Sequence, residues 1–383
     1  MGQHALLSPS AAHRWINCAA APRLEAGVED NGSPYAAEGT LAHAYCAKKL
    51  KEFLGLPAVD EAAEIKSLHD KYHSGEMDEY TDTYKVIVLE KFNDARAKTA
   101  DAQLLIETRL DFSEYVPEAF GTADAIIIAD GIMEIIDFKY GKGVHVEAKE
   151  NPQMMIYALG AFDKFSFDYR IERVRMTIVQ PRIDNLSEWE ISINDLLNWA
   201  NNVLTPAAKK AYAENGEQVP GKWCQFCKVK SNCKALAKKC IAVVQQNNDP
   251  RLLKPEELAK EVLPELATVK TWLTDVEDYA LEQALAGVKL PGWKVVEGRS
   301  NRKITDPDGV ATTLSKEGYK EEQIYKPTEL VSLTELEKLT GKKRFAELCG
   351  EFIEKPQGKP TLAPESDKRP AFNSVAEDFK DID

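Results

Sequence analysis

Two acidic residues and a lysine lie in a short apolar part of the sequence, Asp124 in GTADAIII and Asp137 with Lys139 in EIIDFKY. Two carboxylates on neighbouring strands can hold a divalent cation, which polarises a phosphate group and lowers the pKa of a bound water. Side chains two residues apart on a strand share a face, so Lys139 could orient that water or stabilise developing negative charge. This spacing alone favours a surface ion pair between Asp137 and Lys139, and metal-assisted phosphodiester hydrolysis is the alternative that the surrounding residues strengthen.

Three further polar residues could join this group. Gln153 and Tyr157 are four residues apart in a predicted helix, so their side chains share one helix face. His43 lies within another predicted helix and could supply a neutral imidazole as a metal ligand. The alternative for His43 is an ordinary buried histidine.

The ordered series of these residues resembles the motif set of RecB-family nucleases within the PD-(D/E)XK superfamily, over residues 36–160. In those nucleases a histidine and two acids hold magnesium or manganese, which implies His43, Asp124 and Asp137 as ligands. Such families often carry another acid on the preceding strand, where this sequence has Glu107 in LIETRL.

The same resemblance implies roles for the remaining residues and a function for the chain. Asp124, Asp137 and Lys139 would be catalytic, with Gln153 and Tyr157 beside them in QMMIY. The implied activity is that of a metal-dependent deoxyribonuclease acting as an exonuclease on DNA. The implied fold is the α/β restriction-endonuclease-like core, a mixed central sheet flanked by helices.

Three cysteines, Cys224, Cys227 and Cys233, form the pattern C-x2-C-x5-C. Such spacing in a reducing compartment indicates a metal, and a tetrahedral thiolate site needs a fourth ligand. Cys18 is the best candidate for it and Cys240 a weaker one, whereas Cys46 and Cys349 are predicted core residues. The thiolates alone do not distinguish zinc from a four-iron, four-sulfur cluster.

One distant cysteine and a later C-x2-C-x5-C trio resemble the pattern of AddB-like and CRISPR-associated iron–sulfur nucleases. This resemblance implies a 4Fe-4S cluster on Cys18 and the trio, with zinc as the alternative. The segments LSPSAAHRWINC and GKPTL also resemble a phage and prophage family of unassigned function. That resemblance implies a role in phage DNA recombination or replication, beside a strand-annealing or single-strand-binding protein.

The formal net charge of −13 argues against a protein that coats nucleic acid indiscriminately. Positive charge is nevertheless concentrated between Glu217 and Asp249, where no acidic residue occurs. The lysines of this window are Lys222, Lys228, Lys230, Lys234, Lys238 and Lys239. Lys222, Lys228 and Lys230 are candidate DNA contacts, and a solvated helix face is the alternative.

The elements that must position these residues follow from periodicity. Helices are predicted over residues 9–17, 35–54, 78–100, 152–162, 193–214 and 255–286. Short runs rich in isoleucine and leucine predict strands over residues 103–112, 121–130, 131–140, 173–182 and 188–193, with a hairpin turn at Asp130 and Gly131.

We expect a nuclease domain with its cysteine staple over residues 1–248 and a helical extension over 249–355. The extension would include a hairpin near residues 293–303 and a helix near 333–354, and residues 356–383 would be a disordered tail.

Several function classes are disfavoured. No apolar run approaches the length of a membrane span, and the N-terminus lacks a secretory pattern, so a cytoplasmic protein without a membrane partner is expected. No Walker-type segment is present, so no ATP hydrolysis is expected. Two alternatives to the nuclease remain: an inactive DNA-binding scaffold of a recombination complex, and a zinc-stapled phage protein without nuclease activity.

Overall fold

A mixed five-stranded sheet lies at the centre of this protein in the computed structural model, which describes residues 5–28, 33–57, 63–245 and 254–294. Spatial order follows chain order, and every neighbouring pair is antiparallel except β3 and β4, which run parallel. The strands are β1 (Gln103–Asp111), β2 (Phe120–Ala129), β3 (Gly131–Phe138), β4 (Ile171–Gln180) and β5 (Asn185–Ser192).

The helices before the sheet begin at recognisable caps. Ser33 and Ser74 each accept a hydrogen bond from a backbone N–H of the first turn that follows them. Past the end of the third helix, Gly55 adopts a left-handed backbone with φ of 65°. These helices are α1 (Ala12–Asn17), α2 (Ala21–Glu25), α3 (Pro34–Phe53), α4 (Ala63–Tyr72) and α5 (Gly75–Lys98).

The parallel pair β3 and β4 needs a crossover connection, and α6 (Pro152–Phe165) supplies it. The Asn151 side chain caps this helix by accepting hydrogen bonds from the backbone N–H groups of Gln153 and Met154. Pro152 occupies the first helical position, where a missing N–H has no consequence. The first turn of α6 lies beside the end of β3, since the Gln153 side chain donates a hydrogen bond to Asp137 at 3.2 Å.

Both faces of the sheet are covered. On one face, Ile126 and Ile135 pack with Met154 and Ile156 of α6 in the larger core. On the other face, Ile127, Ile136 and Phe138 pack with residues of α3 and α5 in a second core. Burial on two faces explains why β2 and β3 are nearly continuous apolar runs.

The N-terminal helices are tied to a distant part of the chain. The Ala20 backbone N–H donates to the Glu217 carbonyl at 3.1 Å. A Cβ at Gly216 would lie 2.4 Å from the Ala19 backbone, so only glycine permits this close approach. The contact brings Cys18, at the end of α1, beside the chain that leads into the cysteine trio.

The residues after the sheet are helical. Regular helices are α7 (Ile193–Trp199), α8 (Thr205–Tyr212), α9 (Lys234–Gln245), α10 (Pro255–Glu257) and α11 (Leu263–Leu285). Short 3-10 turns over Lys222–Phe226 and Lys230–Asn232 carry the cysteine-rich segment, defined here as residues 221–233. Residues of this segment, α9 and α11 belong to the same compact unit as the sheet.

Two predicted continuous helices are each interrupted by a π-helical turn. The turns are Ala200–Leu204 and Leu258–Val262, and a proline follows each closely, at Pro206 and Pro264. Proline lacks an N–H and its ring clashes with the carbonyl of the preceding turn, so the helix widens before it.

The predicted α/β class, with its mixed sheet flanked by helices, is confirmed. The five strands and the helices that support the candidate site lie where the periodicity places them, with ends shifted by a few residues. Several predictions concern residues that lie outside the described ranges: the helix at 333–354, the tail, the GKPTL segment and Cys349. The predicted hairpin also lies outside them, apart from its first two residues. None of the described helices is both long and apolar enough to cross a membrane.

Candidate functional site

The register of β2 and β3 brings the two predicted acids together. Ala125 pairs with Ile136, and Asp124 and Asp137 are the next residues beyond that pair on their strands. The Phe138 backbone N–H donates to Asp124 Oδ2 at 2.8 Å, which fixes one carboxylate against the neighbouring strand. The predicted pair of carboxylates on adjacent strands is therefore present.

His43 of α3 reaches the same point. Its Nδ1 lies 3.2 Å from Asp124 Oδ1. Burial lowers the pKa of His43, but the charge of Asp124 and a hydrogen bond to it outweigh burial and raise the pKa to about 9. Burial also opposes ionisation of Asp124, yet His43 and the Phe138 N–H together lower the pKa of that carboxyl. These two groups form an ion pair.

Asp137, Lys139 and Gln153 form a second set of contacts. Lys139 Nζ lies 2.9 Å from Asp137 Oδ2 and donates to Gln153 Oε1 at 3.1 Å. Gln153 Nε2 in turn donates to Asp137 Oδ1 at 3.2 Å. The side-chain amide of Gln153 thus contacts both members of the predicted pair, Lys139 and Asp137.

One oxygen of Asp137 depends on Lys139. Oδ2 is buried, and its partner is the Lys139 ammonium group at 2.9 Å. Burial raises the pKa of Asp137; the charge of Lys139 opposes this shift and that of Asp124 adds to it. The buried carboxylate of Asp137 therefore already faces one positive charge, that of Lys139.

Lys139 is held in its charged form. Burial lowers the pKa of Lys139, but the attraction of Asp137 outweighs burial and raises the pKa above its ordinary value. Lys139 and His43 therefore provide the positive charges that face the two carboxylates.

Glu107 lies opposite Asp124 at an irregularity in β1. The register joins Ile106 to Ala125 and Thr108 to Ala123 and passes over Glu107, whose backbone is left-handed with φ of 48°. Such a conformation is strained for a residue other than glycine and is frequent at functional sites. Glu107 is exposed, yet the atoms crowded around it, followed by the charge of Asp124, raise its pKa to about 7.

Tyr157 lies one turn beyond Gln153 on α6 and is buried. Its ring packs near that of Phe112, and a Cβ on Gly121 would stand 3.0 Å from its Cε1 atom. Burial, followed by the charge of Asp137, raises the pKa of the Tyr157 hydroxyl. Tyr157 therefore stays neutral beside the carboxylates.

The predicted site residues are thus brought together, but not as a ready-made ion site. Within residues 5–28, 33–57, 63–245 and 254–294, no three histidine, cysteine, aspartate or glutamate side chains converge closely enough to hold a metal ion. At the acidic site, Asp124 pairs with His43 and Asp137 pairs with Lys139.

The four predicted cysteine ligands lie in one neighbourhood. Burial raises the pKa of Cys224, and the charges of Cys18 and Cys233 raise it further. Burial also raises the pKa of Cys227 to about 12, with a smaller effect from Cys224. Cys18 donates to the Glu217 carbonyl at 3.8 Å. Cys224 therefore lies within electrostatic reach of the other three thiols.

Backbone and packing contacts also surround the cysteines. The Gly221 backbone N–H already donates to Cys224 Sγ at 3.4 Å, an interaction common around cluster sulfur atoms. Cys240 is buried in the packing of α9, and Cys46 is buried in the second core.

A family profile described as "Protein of unknown function (DUF2800)" matches residues 4–370. The chain belongs to this family. Among solved structures, it is similar to the crystal structure of a "Putative exonuclease" from Eubacterium rectale, with 9% identity and a TM-score of 0.33, covering 67% of this chain and 93% of the other. It is also similar to the crystal structure of SSO0001, with 17% identity and a TM-score of 0.26, covering 52% of this chain and 98% of the other. These similarities are too distant to bear on the function of this chain.

The predicted DNA contacts differ in their surroundings. Lys222 and Lys228 are exposed, and the Lys228 backbone N–H donates to Glu25 Oε1. Lys230 is half-buried and forms an ion pair with Asp275 of α11 at 2.9 Å. Part of the positive charge of the lysine window is therefore neutralised by α11, which the charge pattern of the window alone did not indicate.

Sequence reasoning missed two groups that support these sites. Arg14 and Glu25 form an ion pair at 2.9 Å, and Arg14 also donates to the Phe226 carbonyl, which ties α1 and α2 to the cysteine-rich segment. Trp272 of α11 lines a cavity beside Cys224. Neither group has a local sequence signal, because each depends on contacts between distant parts of the chain.

Proposed function

We propose that this protein is a metal-dependent deoxyribonuclease of the RecB type that hydrolyses DNA phosphodiester bonds as an exonuclease. The observation that carries this proposal is the buried carboxylate of Asp137, whose Oδ2 atom lies 2.9 Å from Lys139 Nζ. A surface ion pair would leave both oxygens open to water. A second carboxylate, Asp124, is adjacent on the next strand.

Asp124 and Asp137 would hold Mg²⁺ or Mn²⁺, with His43 and Glu107 as the further ligands. When bound, the cation supplies Lewis acidity to the scissile phosphate and lowers the pKa of the attacking water. For His43 to become a ligand it must release the proton that pairs it with Asp124. Glu107 is exposed, and it lies opposite Asp124 where the pairing of β1 with β2 is interrupted, so it could turn toward the same point.

Lys139 would place its ammonium group where negative charge develops on the phosphate. Gln153 keeps that ammonium group within reach of Asp137, because one amide contacts both side chains. Tyr157 is buried one turn beyond Gln153 on α6 and would limit the access of water to the site. The catalytic group thus comprises Asp124, Asp137 and Lys139, with Gln153 and Tyr157 positioning them.

We further propose that Cys18, Cys224, Cys227 and Cys233 hold a 4Fe-4S cluster, with zinc as the alternative. The cluster would join α1 to the cysteine-rich segment. In the sequence, nearly all of the proposed nuclease domain lies between these two parts. Metal binding to such distant ligands contributes directly to folding free energy.

DNA is the proposed substrate, and Lys222, Lys228 and Lys230 are its proposed contacts near the cysteine-rich segment. The proposed setting is phage DNA recombination or replication in the cytoplasm. There the protein would resect ends for a strand-annealing or single-strand-binding partner.

The experiment is cleavage of end-labelled linear single- and double-stranded DNA by anaerobically purified protein with Mg²⁺ or Mn²⁺. We expect Asp137→Asn and Lys139→Ala each to lose about a hundredfold in rate, the usual cost of removing a preorganised charge. Asp130→Asn is the matched control, because Asp130 is exposed in the turn at the opposite end of the same two strands. Covalently closed circular DNA distinguishes an exonuclease from an endonuclease.

If folded wild-type protein and both variants are equally inert, the nuclease proposal fails. If this inert protein still binds DNA, and the two variants bind it as well as wild type does, the scaffold alternative is supported. A colourless, zinc-containing and inert preparation would support the zinc-stapled alternative.

A further inference from the structure

An aromatic ring is exposed in the middle of the cysteine-rich segment. Phe226 ends the short 3-10 turn Lys222–Phe226, and 64% of its surface is open to solvent. A single exposed apolar side chain is ordinary on a protein surface. Its meaning therefore depends on how the ring is held and which groups surround it.

The backbone on both sides of this ring is fixed by the N-terminal helices. Arg14 donates from Nη1 to the Phe226 carbonyl at 3.1 Å. The Lys228 backbone N–H donates to Glu25 Oε1 at 2.7 Å, and Glu25 pairs with Arg14 at 2.9 Å. The ring thus projects from a turn that is held at two points. A held aromatic side chain loses less conformational entropy when it binds a partner.

The ring lies within the basic stretch of the sequence. Lys222 precedes it by four residues and Lys228 follows it by two, and both lysines are exposed. No acidic residue occurs in the sequence between Glu217 and Asp249. Glu25 approaches from α2, but its charge is compensated by Arg14. The surroundings of the ring therefore favour an anionic partner.

A groove of about 280 Å³ begins next to the ring, between the cysteine-rich segment and α11. Its polar lining residues are Lys222, Gln225, Lys230, Thr268, Thr271 and Asp275. Lys230 and Asp275 cancel each other in an ion pair at 2.9 Å, which leaves the charge of Lys222. Gln225 directly precedes Phe226, so the groove and the ring are neighbours. Hydroxyl, amide and ammonium groups are donors that suit a phosphate.

We propose that the cysteine-rich segment binds single-stranded DNA, with one base stacked on the Phe226 ring and the adjoining phosphates beside Lys222 and Lys228. The inference rests on the DNA substrate proposed above and names the form of DNA that this surface selects. In a duplex the bases cover one another, so they cannot offer a face to an external ring. An unpaired base can, and every base has such a face.

The test measures the binding of a dye-labelled thymidine oligonucleotide of about 12 nucleotides by fluorescence anisotropy. The full chain is purified anaerobically, and no divalent cation is added. Phe226→Ala should raise the dissociation constant about 5–150-fold, the range of base–aromatic stacking. Its affinity for a duplex of the same length should change less than about twofold, because no base is available to stack. Phe167→Ala is the matched control, because Phe167 is 97% exposed and has Ser166 and Asp168 beside it instead of lysines.

Two conservative variants separate stacking from a general need for an apolar side chain. Phe226→Tyr keeps the aromatic face and should bind the oligonucleotide as wild type does. Phe226→Leu keeps an apolar side chain without that face and should resemble Phe226→Ala. Lys222→Gln tests the phosphate contact, since it should lower the slope of log affinity against log salt concentration by about 0.7.

Equal affinities of wild type and Phe226→Ala for the oligonucleotide overturn the inference. Equal losses in Phe226→Tyr and Phe226→Ala overturn it as well, as does a wild type that prefers the duplex. Binding does not require cleavage, so the assay is independent of the nuclease proposal. An inert protein that binds through Phe226 refutes the nuclease alone, whereas an active nuclease with undiminished binding in Phe226→Ala refutes this inference alone.

Discussion

The charges of the candidate site nearly cancel, because Asp124 and Asp137 face His43 and Lys139. The two carboxylates are nevertheless not equivalent. Asp124 accepts a hydrogen bond from the Phe138 N–H and pairs with His43, so its charged form is favoured. Asp137 accepts a hydrogen bond from Gln153 and pairs with Lys139, yet burial still favours its neutral form. A cation that adds positive charge beside Asp137 would remove this difference.

Replacing Gln153 tests the contacts that connect Lys139 with Asp137. Gln153→Ala should lower DNA cleavage about 10–100-fold, the usual effect of losing a group that orients catalytic ligands. The loss should fall mainly on kcat, because Gln153 holds Lys139 and Asp137 rather than DNA. Cleavage rates over a range of DNA and Mg²⁺ concentrations measure it. Gln103→Ala, in the exposed start of β1, is the control, and equal rates for both variants would contradict the assigned role.

The ion pair of His43 with Asp124 should make the free energy of unfolding depend on pH. We expect this in protein that a chelator has freed of divalent cations. Its folded-state pKa is raised to about 9, above its value of about 6.5 in an unfolded chain. The stabilising contribution is therefore fully present below about pH 6.5 and is lost as pH rises through about 9. Denaturant unfolding of wild type and His43→Gln from pH 6 to 10 measures the difference in their free energies of unfolding. That difference should shrink with rising pH, and a constant difference would show that His43 carries no ion pair.

At the scale of elements, the site depends on how closely α6 and α3 pack on the sheet. Gly160 of α6 faces β1, and a Cβ there would stand 3.0 Å from the Asp111 carbonyl oxygen and 2.8 Å from the Phe112 ring. Gly39 of α3 has nothing within 4 Å of a Cβ position. Two glycines inside helices thus have opposite surroundings.

These surroundings predict opposite effects of the same substitution. Gly39→Ala should raise the free energy of unfolding by about 0.5–1 kcal/mol, because alanine favours a helix more than glycine does. Gly160→Ala should lower it by about 1–3 kcal/mol, because the added methyl meets a backbone atom that cannot move without disturbing β1. Urea denaturation measures both. Stabilisation by Gly160→Ala would mean that α6 does not pack this closely on β1.

At the scale of the whole molecule, the chain closes on itself through α1. The Gly216 contact with Ala19, the Arg14 hydrogen bond to the Phe226 carbonyl and the Cys18 thiol all connect the N-terminal helices to residues beyond the sheet. A metal on Cys18 and the cysteine trio would strengthen a connection that these contacts already begin.

We therefore expect Cys18→Ser to lower the stability of the whole protein. The variant should lose more than half of its iron and melt about 5 °C or more below wild type, since 1 kcal/mol corresponds to about 2–4 °C in a domain of this size. Iron analysis and thermal unfolding under anaerobic conditions measure the two effects. Cys46→Ser is the control, because Cys46 is buried in the second core, and it should keep its iron. Full iron content in Cys18→Ser would remove Cys18 from the ligand set.

The strands and the acidic site could be predicted from the sequence because their signals are local. Isoleucine-rich runs bounded by Asp130 and Gly131 predict β2 and β3, and a hairpin turn leaves only one register that puts Asp124 beside Asp137. The helical spacing of Gln153 and Tyr157 places both on one side of α6. Short-range geometry was enough for this part of the site.

Other features were decided by tertiary contacts. The left-handed backbone at Glu107 has no glycine to indicate it, and the π-helical turns arise from backbone crowding before Pro206 and Pro264. The pairing of Lys230 with Asp275 and the burial of the Trp272 N–H depend on α11, which is far away in the chain. The sequence by itself determined residue types, periodicity and neighbours along the chain. Only the tertiary structure decided which distant groups share one buried environment, because pKa values, unsatisfied donors and charge neutralisation depend on all atoms nearby and not on chain order.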